Sequence, residues 1–248
     1  MRTLVVVPTH NEAENIAGLL TRIRETVPDA DVIVIDDAST DETRPLVRSA
    51  MEGDTQLRLV ERDEKRGLGD AYLHAFEIAL AEGYDAVVEI DADHSHDPAV
   101  LPTMLDVAGR GIALVIGSRY VPGGTVTGWP RRRTWLSRWG NRYVAIMLGL
   151  AINDATAGYR VYRTDALRTV GLEGVEASGY VFQVEMTYRI VRSGLSVVEI
   201  PIAFADRVVG ASKMNRAIIF ESFRLVTIWG LQDMLSLKRR QRAYRTNA

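Results

Sequence analysis

The sequence predicts an α/β fold in which a mostly parallel sheet is covered by helices on both faces. Three observations carry that expectation. Short β-branched runs recur at 3–8 (TLVVVP), 31–36 (DVIVID), 57–61 (LRLVE), 84–91 (YDAVVEID) and 113–120 (ALVIGSRY). They are largely continuous Val/Ile runs, which marks strands buried on both faces. Helical patterns lie between them, and that alternation is the signature of parallel pairing. With 248 residues, 47% of them hydrophobic, the chain can bury a sizeable core.

After the first strand, Ile16, Leu19, Leu20, Ile23 and Val27 follow helical spacing. Asn11 with Glu14, and Ser39 with Glu42, read as capping boxes opening the first and second helices. Beyond the third strand, Gly67-Leu68-Gly69 lacks the third glycine of a dinucleotide loop. It reads instead as a glycine-rich helix start whose free N–H groups face an anion. The fourth strand ends in Asp91-Ala92-Asp93 and the fifth in Gly117-Ser118-Arg119. A Gly/Pro-rich connection (121–130) follows. Then come a helix over 131–150, a strand near 158–163, a helix near 180–193, a strand near 196–205 and a last helix. No repeat or linker marks a second domain, so residues 1–248 read as one.

Composition removes several chemistries. With no cysteine there is no thiol nucleophile, disulfide or thiolate metal site. The four histidines, His10, His74, His94 and His96, leave nothing downstream for a di-zinc hydrolase. Pro8-Thr9 stands where a phosphatase with an aspartate nucleophile would carry it. The opening MRTLVVVPTHNE turns polar too soon for a signal peptide, which points to a cytosolic chain. Across 217–237, Glu221, Arg224 and Asp233 would each cost about 2.5–3.5 kcal/mol at a bilayer centre, more than the apolar residues there return. A packed or surface-lying helix is expected instead, followed by a basic tail that includes Lys238, Arg239 and Arg240.

The net charge of −2 hides an asymmetry. Residues 1–128 carry 23 acidic and 11 basic side chains, and residues 129–248 carry 9 and 19. Two solvated faces would account for it, as would an acidic half that holds a metal and a basic half that meets an anion. Parallel sheets bind ligands beyond the carboxyl ends of their strands. There Asp91 and Asp93 can turn toward one ligand and, with nucleotide phosphates, complete a hard-cation site; capping the next helix is the plainer alternative. On a helix over 131–150, Trp135, Trp139 and Tyr143 form one stripe, flanked by Arg131, Arg138 and Arg142. Arg133, Ser137 and Asn141 fall on the opposite face. The stripe suits a membrane interface or an ordinary core with arginines at its rim.

These residues bring a family into view. The chain resembles the GT-A-fold glycosyltransferases of family 2, from VPTHNEAENI (7–16) to DRVVGASK (206–213). IDDASTDET (35–43) and Asp91-Ala92-Asp93 are its general markers. More narrowly it resembles the polyprenyl-phosphate (dolichol-phosphate) mannosyltransferases. Those markers are RGLGDAY (66–72), DADHSHDP (91–98), GSRY (117–120), the GG…W…R…S run (123–137), DATAGYRVY (154–162), GYVFQVEM (179–186) and R…GASK (207–213).

The resemblance implies a GT-A (Rossmann-like) sheet with a C-terminal acceptor-side extension, residues 1–120 binding the nucleotide sugar and 121–248 facing acceptor and membrane. It implies inverting transfer of mannose from GDP-mannose to a membrane polyprenyl monophosphate, with Mg²⁺ or Mn²⁺ as cofactor. Pro8, His10, Glu12, Ile35 and Asp37 would hold the guanosine. Asp91, Ala92 and Asp93 would contact the donor, the aspartates with the metal on its diphosphate and Ser95 beside them. Arg119, Arg207 and Lys213 would neutralise phosphate charge, and Arg133 and Ser137, with Arg119, would hold the acceptor phosphate. Asp93, Arg119 and Arg133 are thus the catalytic candidates. His10 stands where relatives usually have Tyr, and Ser95 where some have a metal-coordinating Gln.

The expected place is peripheral, at the cytoplasmic face of the membrane, where a membrane-embedded protein could anchor the chain; no nucleic acid is expected. RVVGASK (207–213) is expected to close over the donor as a lid. The competing readings are a sister transferase using a UDP-sugar and a non-catalytic, basic membrane-surface or nucleic-acid-binding module.

Overall fold

A computed structural model describes residues 1–175, 179–206 and 222–235, with the side chains of 179 and 180 left aside. The first half supplies β1 (Thr3–Thr9), α1 (Ile16–Thr26), β2 (Asp31–Asp37), α2 (Thr43–Met51), β3 (Leu57–Arg62), α3 (Leu68–Ala81), β4 (Ala86–Glu89), α4 (Leu101–Gly109) and β5 (Leu114–Ser118). The second half supplies β6 (Thr125–Thr127), α5 (Arg131–Leu148), β7 (Arg160–Arg163), α6 (Thr164–Val170), α7 (Gly179–Arg192), β8 (Val197–Pro201), β9 (Ala203–Ala205) and a last helix, α8 (222–235).

Seven strands form one sheet in the order β3-β2-β1-β4-β7-β5-β8, with β7 alone antiparallel to its neighbours. The strands of β1 explain the continuous apolar runs. Leu4 and Val6 join one core cluster, with Tyr72, Phe76, Tyr162 and Phe182. Val5 and Val7 join the other, with Ile16, Leu19, Ile23 and Met104. Side chains alternate across a strand, so a sheet covered on both faces needs apolar residues at every position.

The mostly parallel sheet and the α1 stripe are as the sequence predicts, and three local expectations change. The stretch 196–205 divides at Ile202 into β8, on the sheet edge, and β9, which pairs with β6 in a separate two-stranded ribbon. Neither capping box forms: the helices are capped at Asn15 and Glu42 without a side-chain bond. Asn11 and Ser39 instead reach across to each other's loop. The Asn11 N–H donates to Ser39 Oγ at 2.8 Å, and Asn11 Oδ1 accepts from the Thr40 N–H at 2.8 Å. Parallel strands place these two loops side by side, and a bond between them satisfies what a cap would have. Lastly, the Arg66 and Gly67 N–H groups do face an anion, but it is the Asp37 carboxylate, at 2.9 and 2.8 Å. Gly67 takes φ 95° there, a backbone state that favours glycine.

The helix pair α5 and α8 packs on the first of these clusters through Val144, Leu148 and Val226. Phe223 of α8 sits 5.4 Å from the Trp139 ring and 4.9 Å from that of Tyr143, and Tyr143 and Thr227 are hydrogen bonded at 2.6 Å. Gly230 permits the approach, since a Cβ there would fall 2.5 Å from the Met147 carbonyl. Among the described residues no helix is long and apolar enough to cross a membrane.

Candidate active site

A cavity of about 550 Å³ opens where β1, β2, β4 and β5 end, the expected side of a parallel sheet. Three of the loops there hold a non-glycine residue at positive φ: Asn11 (58°), Ala38 (60°) and His94 (60°). Such backbone states cost energy and persist where surrounding bonds impose them. Those bonds are present. Asp36, fully buried, accepts from Thr9 Oγ1 and the Ser39 N–H, both at 3.0 Å, and pairs with Arg44. Burial pushes its carboxyl up, but the bonds from Ser39, Arg44 and Thr9 outweigh it and hold the group below its usual 3.8. The Glu12 N–H donates to Thr43 Oγ1 at 2.8 Å, and the His10 ring donates from Nδ1 to the Asp37 carbonyl at 2.7 Å. The first two loops are thereby one unit.

The β4 loop brings the carboxylates. Asp93 is buried, and its Oδ1 accepts the Ser95 N–H at 3.1 Å. Asp91 is more open, its Oδ2 3.8 Å from His96 Nδ1, and Gly158 opposite leaves room beside it, a Cβ there standing 3.4 Å from Oδ2. Ser95 has a buried hydroxyl with no partner among the described residues. Two carboxylates and an unpartnered hydroxyl are hard oxygen donors of the kind Mg²⁺ and Mn²⁺ take. Among the described residues no group of three His or acidic side chains could hold a metal, so this donor set fits a cation whose shell a bound phosphate completes.

The same cavity is also lined by arginines. Arg119 is almost wholly buried and grips Asp154 with Nε at 2.7 Å and Nη2 at 2.6 Å. Arg133, one turn into α5, lies 4.0 Å over the Trp129 ring and pairs with Asp206 at 3.2 Å. Ser137 Oγ accepts from the Tyr120 hydroxyl at 2.7 Å. Arg133 and Ser137 line one wall, as their spacing of four on a helix requires.

Pro8, His10, Glu12, Asp37, Asp91, Ala92, Asp93, Ser95, Arg119, Arg133 and Ser137 all line this single cavity. Ile35 is not among its lining residues; its side chain is fully buried in the core beneath it. Arg207 and Lys213, with the expected lid at 207–213, lie outside the described residues, as do Lys238, Arg239 and Arg240. The aromatic stripe of α5 divides: Trp135 is 66% and Trp139 47% exposed, while Tyr143 is half-buried against α8. The two tryptophans are therefore not core residues.

Sequence reasoning attached no role to Asp154, Asp206 or Glu89. Glu89, on β4, is fully buried and accepts from Gln183 Nε2 at 2.8 Å. Burial pushes it up to about 8, against the opposing pull of Arg160 and Gln183. Its place in an apolar strand, one side-chain repeat before Asp91, was the available signal. Asp154 and Gln183 lay within motifs of the resemblance, but a motif does not say which residue another one will meet.

A sequence model of the family described as "Glycosyl transferase family 2" matches residues 4–171. A protein of Micrococcus luteus named undecaprenyl-phosphate mannosyltransferase is 47% identical over 93% of this chain and 95% of its own length. One of Mycolicibacterium smegmatis named polyprenol monophosphomannose synthase is 44% identical over 96% of this chain and 90% of its own. Among solved structures, glucosyl-3-phosphoglycerate synthase from Mycobacterium tuberculosis, in complex with Mn²⁺, UDP-glucose and phosphoglyceric acid, superposes with a TM-score of 0.66. It covers 93% of this chain and 79% of that one at 21% identity, a likeness of fold.

Proposed function

Because the chain belongs to glycosyl transferase family 2, we propose that it transfers mannose from GDP-mannose to a polyprenyl monophosphate, inverting the anomeric centre. The observation that carries the reading is one cavity lined both by paired carboxylates and by an arginine–serine helix face. The names of the Micrococcus and Mycolicibacterium relatives, aligned over at least 90% of each chain, supply mannose and the polyprenyl phosphate. GDP as the carrier rests on the family motifs that Pro8, His10, Glu12 and Asp37 match.

An oxygen of the acceptor phosphate attacks the anomeric carbon as the bond from that carbon to the GDP oxygen breaks. GDP leaves with the electron pair. A sugar hydroxyl would need a general base, but a phosphate monoester with a second pKa of about 6 is largely ionised at neutral pH. The protein's task is to place two anions in line and offset their repulsion. Arg133 supplies a fork for two phosphate oxygens, and Ser137 a hydroxyl one helical turn away. Asp206, whose side chain is 36% exposed, holds the Arg133 guanidinium until phosphate replaces it. Arg119, held by Asp154, lines the same cavity and would present N–H groups to phosphate. A divalent cation, Mg²⁺ or Mn²⁺, would be held by Asp91 and Asp93, and when bound its chemistry is to neutralise the departing diphosphate. Arg207 and Lys213 would add to that charge.

A lipid-borne acceptor requires approach to a membrane. Exposed Trp135, Leu136, Trp139 and Ile146 on α5, with Leu231, Met234 and Leu235 on α8, support peripheral binding through these helices; the cytoplasmic side is proposed with it. Arg131, Arg132, Arg138 and Arg142, all exposed, would meet anionic headgroups. The deciding experiment offers GDP- and UDP-sugars with a polyprenyl phosphate and reads label entering an organic-soluble product. GDP-mannose should be the productive donor. A UDP-sugar as the productive donor, or no lipid product from any, would overturn the assignment.

A further inference from the structure

We infer that Asn141 is a positioning residue for the transfer, fixing the acceptor face of α5 in register with Arg119. The inference rests on the reading of Arg133 and Ser137 as acceptor-phosphate ligands. It adds a residue that touches neither substrate.

Asn141 lies on α5 one turn beyond Ser137 and two beyond Arg133, on the same inward face, and it is buried. Its Nδ2 reaches Asp154 Oδ1 at 3.3 Å, Thr156 Oγ1 at 3.1 Å and the Ser137 carbonyl at 3.2 Å. Its Oδ1 accepts the Thr156 N–H at 3.3 Å. Both ends of the amide are thus committed to protein.

Asp154 Oδ1 and Thr156 Oγ1, the two side-chain oxygens that Asn141 approaches, are also the two that receive Arg119 Nη2, at 2.6 and 3.0 Å. One carboxylate and one hydroxyl therefore join the end of β5 to the middle of α5. The shared loop is itself fixed from the far edge of the sheet. Glu199 of β8 accepts the Asn153 and Asp154 N–H groups at 2.8 and 2.9 Å. The chain of contacts runs from the sheet, through the 153–156 loop, to Arg119 and, through Asn141, to α5.

Asn141 supplies hydrogen bonds from α5 to that hub, beside the apolar packing of Val144 and Leu148 with Ile152 and Ala155, whereas Arg133 and Ser137 bond to Asp206 and Tyr120. An amide suits the position for a definite reason. It donates to Asp154 without adding charge, whereas a cation would compete with Arg119 for the carboxylate and an anion would repel it. Without the amide, α5 keeps its apolar contacts to α8 and the core and the Ser137–Tyr120 bond, while the helix loses its polar tie to the Asp154–Thr156 pair that holds Arg119, and with it part of the register of Arg133. An in-line displacement is sensitive to misplacement on that scale.

The test is Asn141→Ala in the full chain, with Asn141→Ser as a second variant that keeps a polar donor at the position, able to reach the hub through a water. With wild type active on polyprenyl phosphate, Asn141→Ala should raise the acceptor KM about tenfold and lower kcat, and Asn141→Ser should lie between. GDP-mannose affinity by calorimetry without acceptor should stay within about twofold, as for a group lying outside the donor's contacts. In an Arg133→Lys background the acceptor effect should shrink, because an already misdirected cation has less register to lose. Overturning results are an acceptor KM equal to wild type in a folded variant, equal losses for donor and acceptor, or full additivity with Arg133→Lys. If Asn141→Ala fails to fold, Asn141→Ser carries the same criteria. A wild type inactive on polyprenyl phosphate would instead refute the acceptor assignment itself.

Discussion

At the strand tips, Asp36, Asp37, Ser39 and Thr43 are bonded to amides and hydroxyls of neighbouring loops, through contacts of 2.8 to 3.0 Å that leave those loops one arrangement. On α5 the functional groups are held differently. Arg133 rests on an aromatic ring and a partly exposed carboxylate, both on side chains that can exchange partners. A nucleotide diphosphate carries most of its recognition in one rigid unit, and a rigid receptor limits the entropy lost on binding it. A lipid phosphate arrives on a flexible chain from a surface, so its cations must stay charged, oriented and exchangeable. The contrast predicts that damage at the strand tips acts on folding or donor binding, and damage on α5 on the acceptor.

The strongest way to break this division is Asp93→Ala. It should lower turnover by about 10²–10³-fold, the loss typical of a removed electrostatic group, with the melting curve preserved. Excess EDTA should do the same to wild type. Full turnover in EDTA would remove the cation from the strand-tip end of the comparison.

Asp36→Asn should instead cost stability, about 1–3 kcal/mol, because Arg44 and the Thr9 and Ser39 donors lose a buried anion. The sign with pH follows from the lowered carboxyl. Asp36 gives up its proton more readily folded than unfolded, so its contribution is complete above its ordinary value of 3.8. It is lost as pH falls through the still lower folded value. Urea titrations of wild type and Asp36→Asn should converge in acid and separate by pH 7. A gap that is constant with pH would mean that packing, not charge, holds the two loops.

Arg133→Lys sharpens the other half. A point charge replaces a fork, so the acceptor KM should rise about tenfold while donor affinity without acceptor is unchanged. Ser137→Ala should act in the same direction but more weakly, since one neutral hydrogen bond is worth about 0.5–1.5 kcal/mol. Weakened donor binding with an unchanged acceptor KM would put these residues on the wrong substrate.

The smallest effect is expected at the surface. Trp135→Ala with Trp139→Ala should reduce flotation with anionic liposomes, and added NaCl should reduce it further, each nearby arginine contributing about 1 kcal/mol before screening. Flotation equal to wild type would leave these exposed rings without a membrane role.

Much of this was legible before any coordinate. The parallel sheet followed from continuous Val/Ile runs, and the strand-end carboxylates from Asp91-Ala92-Asp93, because both are local patterns set by the pleat and by chain direction. The shared face of Arg133 and Ser137 followed from helical spacing. The capping boxes failed since a short polar side chain bonds whichever donor is nearest, and adjacent parallel strands put the other loop's donors nearer. The α5 stripe could not be assigned to core or surface, for its fate depended on how far α8 reaches along it: Phe223 and Thr227 cover Tyr143 and leave Trp135 in solvent.

What the sequence determined by itself was therefore periodicity: which segments are strands, which helices, and which residues each strand end or helix face presents. What only the tertiary structure decided was partnership. Asp154 lies 35 residues from Arg119 and 13 from Asn141, with Glu199 a further 45 along the chain. Nothing in those separations encodes a contact. The antiparallel insertion of β7 between β4 and β5 carries the preceding 153–156 loop to the same side of the sheet as the end of β5. There a buried arginine must find a carboxylate, since an unpaired charge in that interior would cost several kcal/mol, roughly.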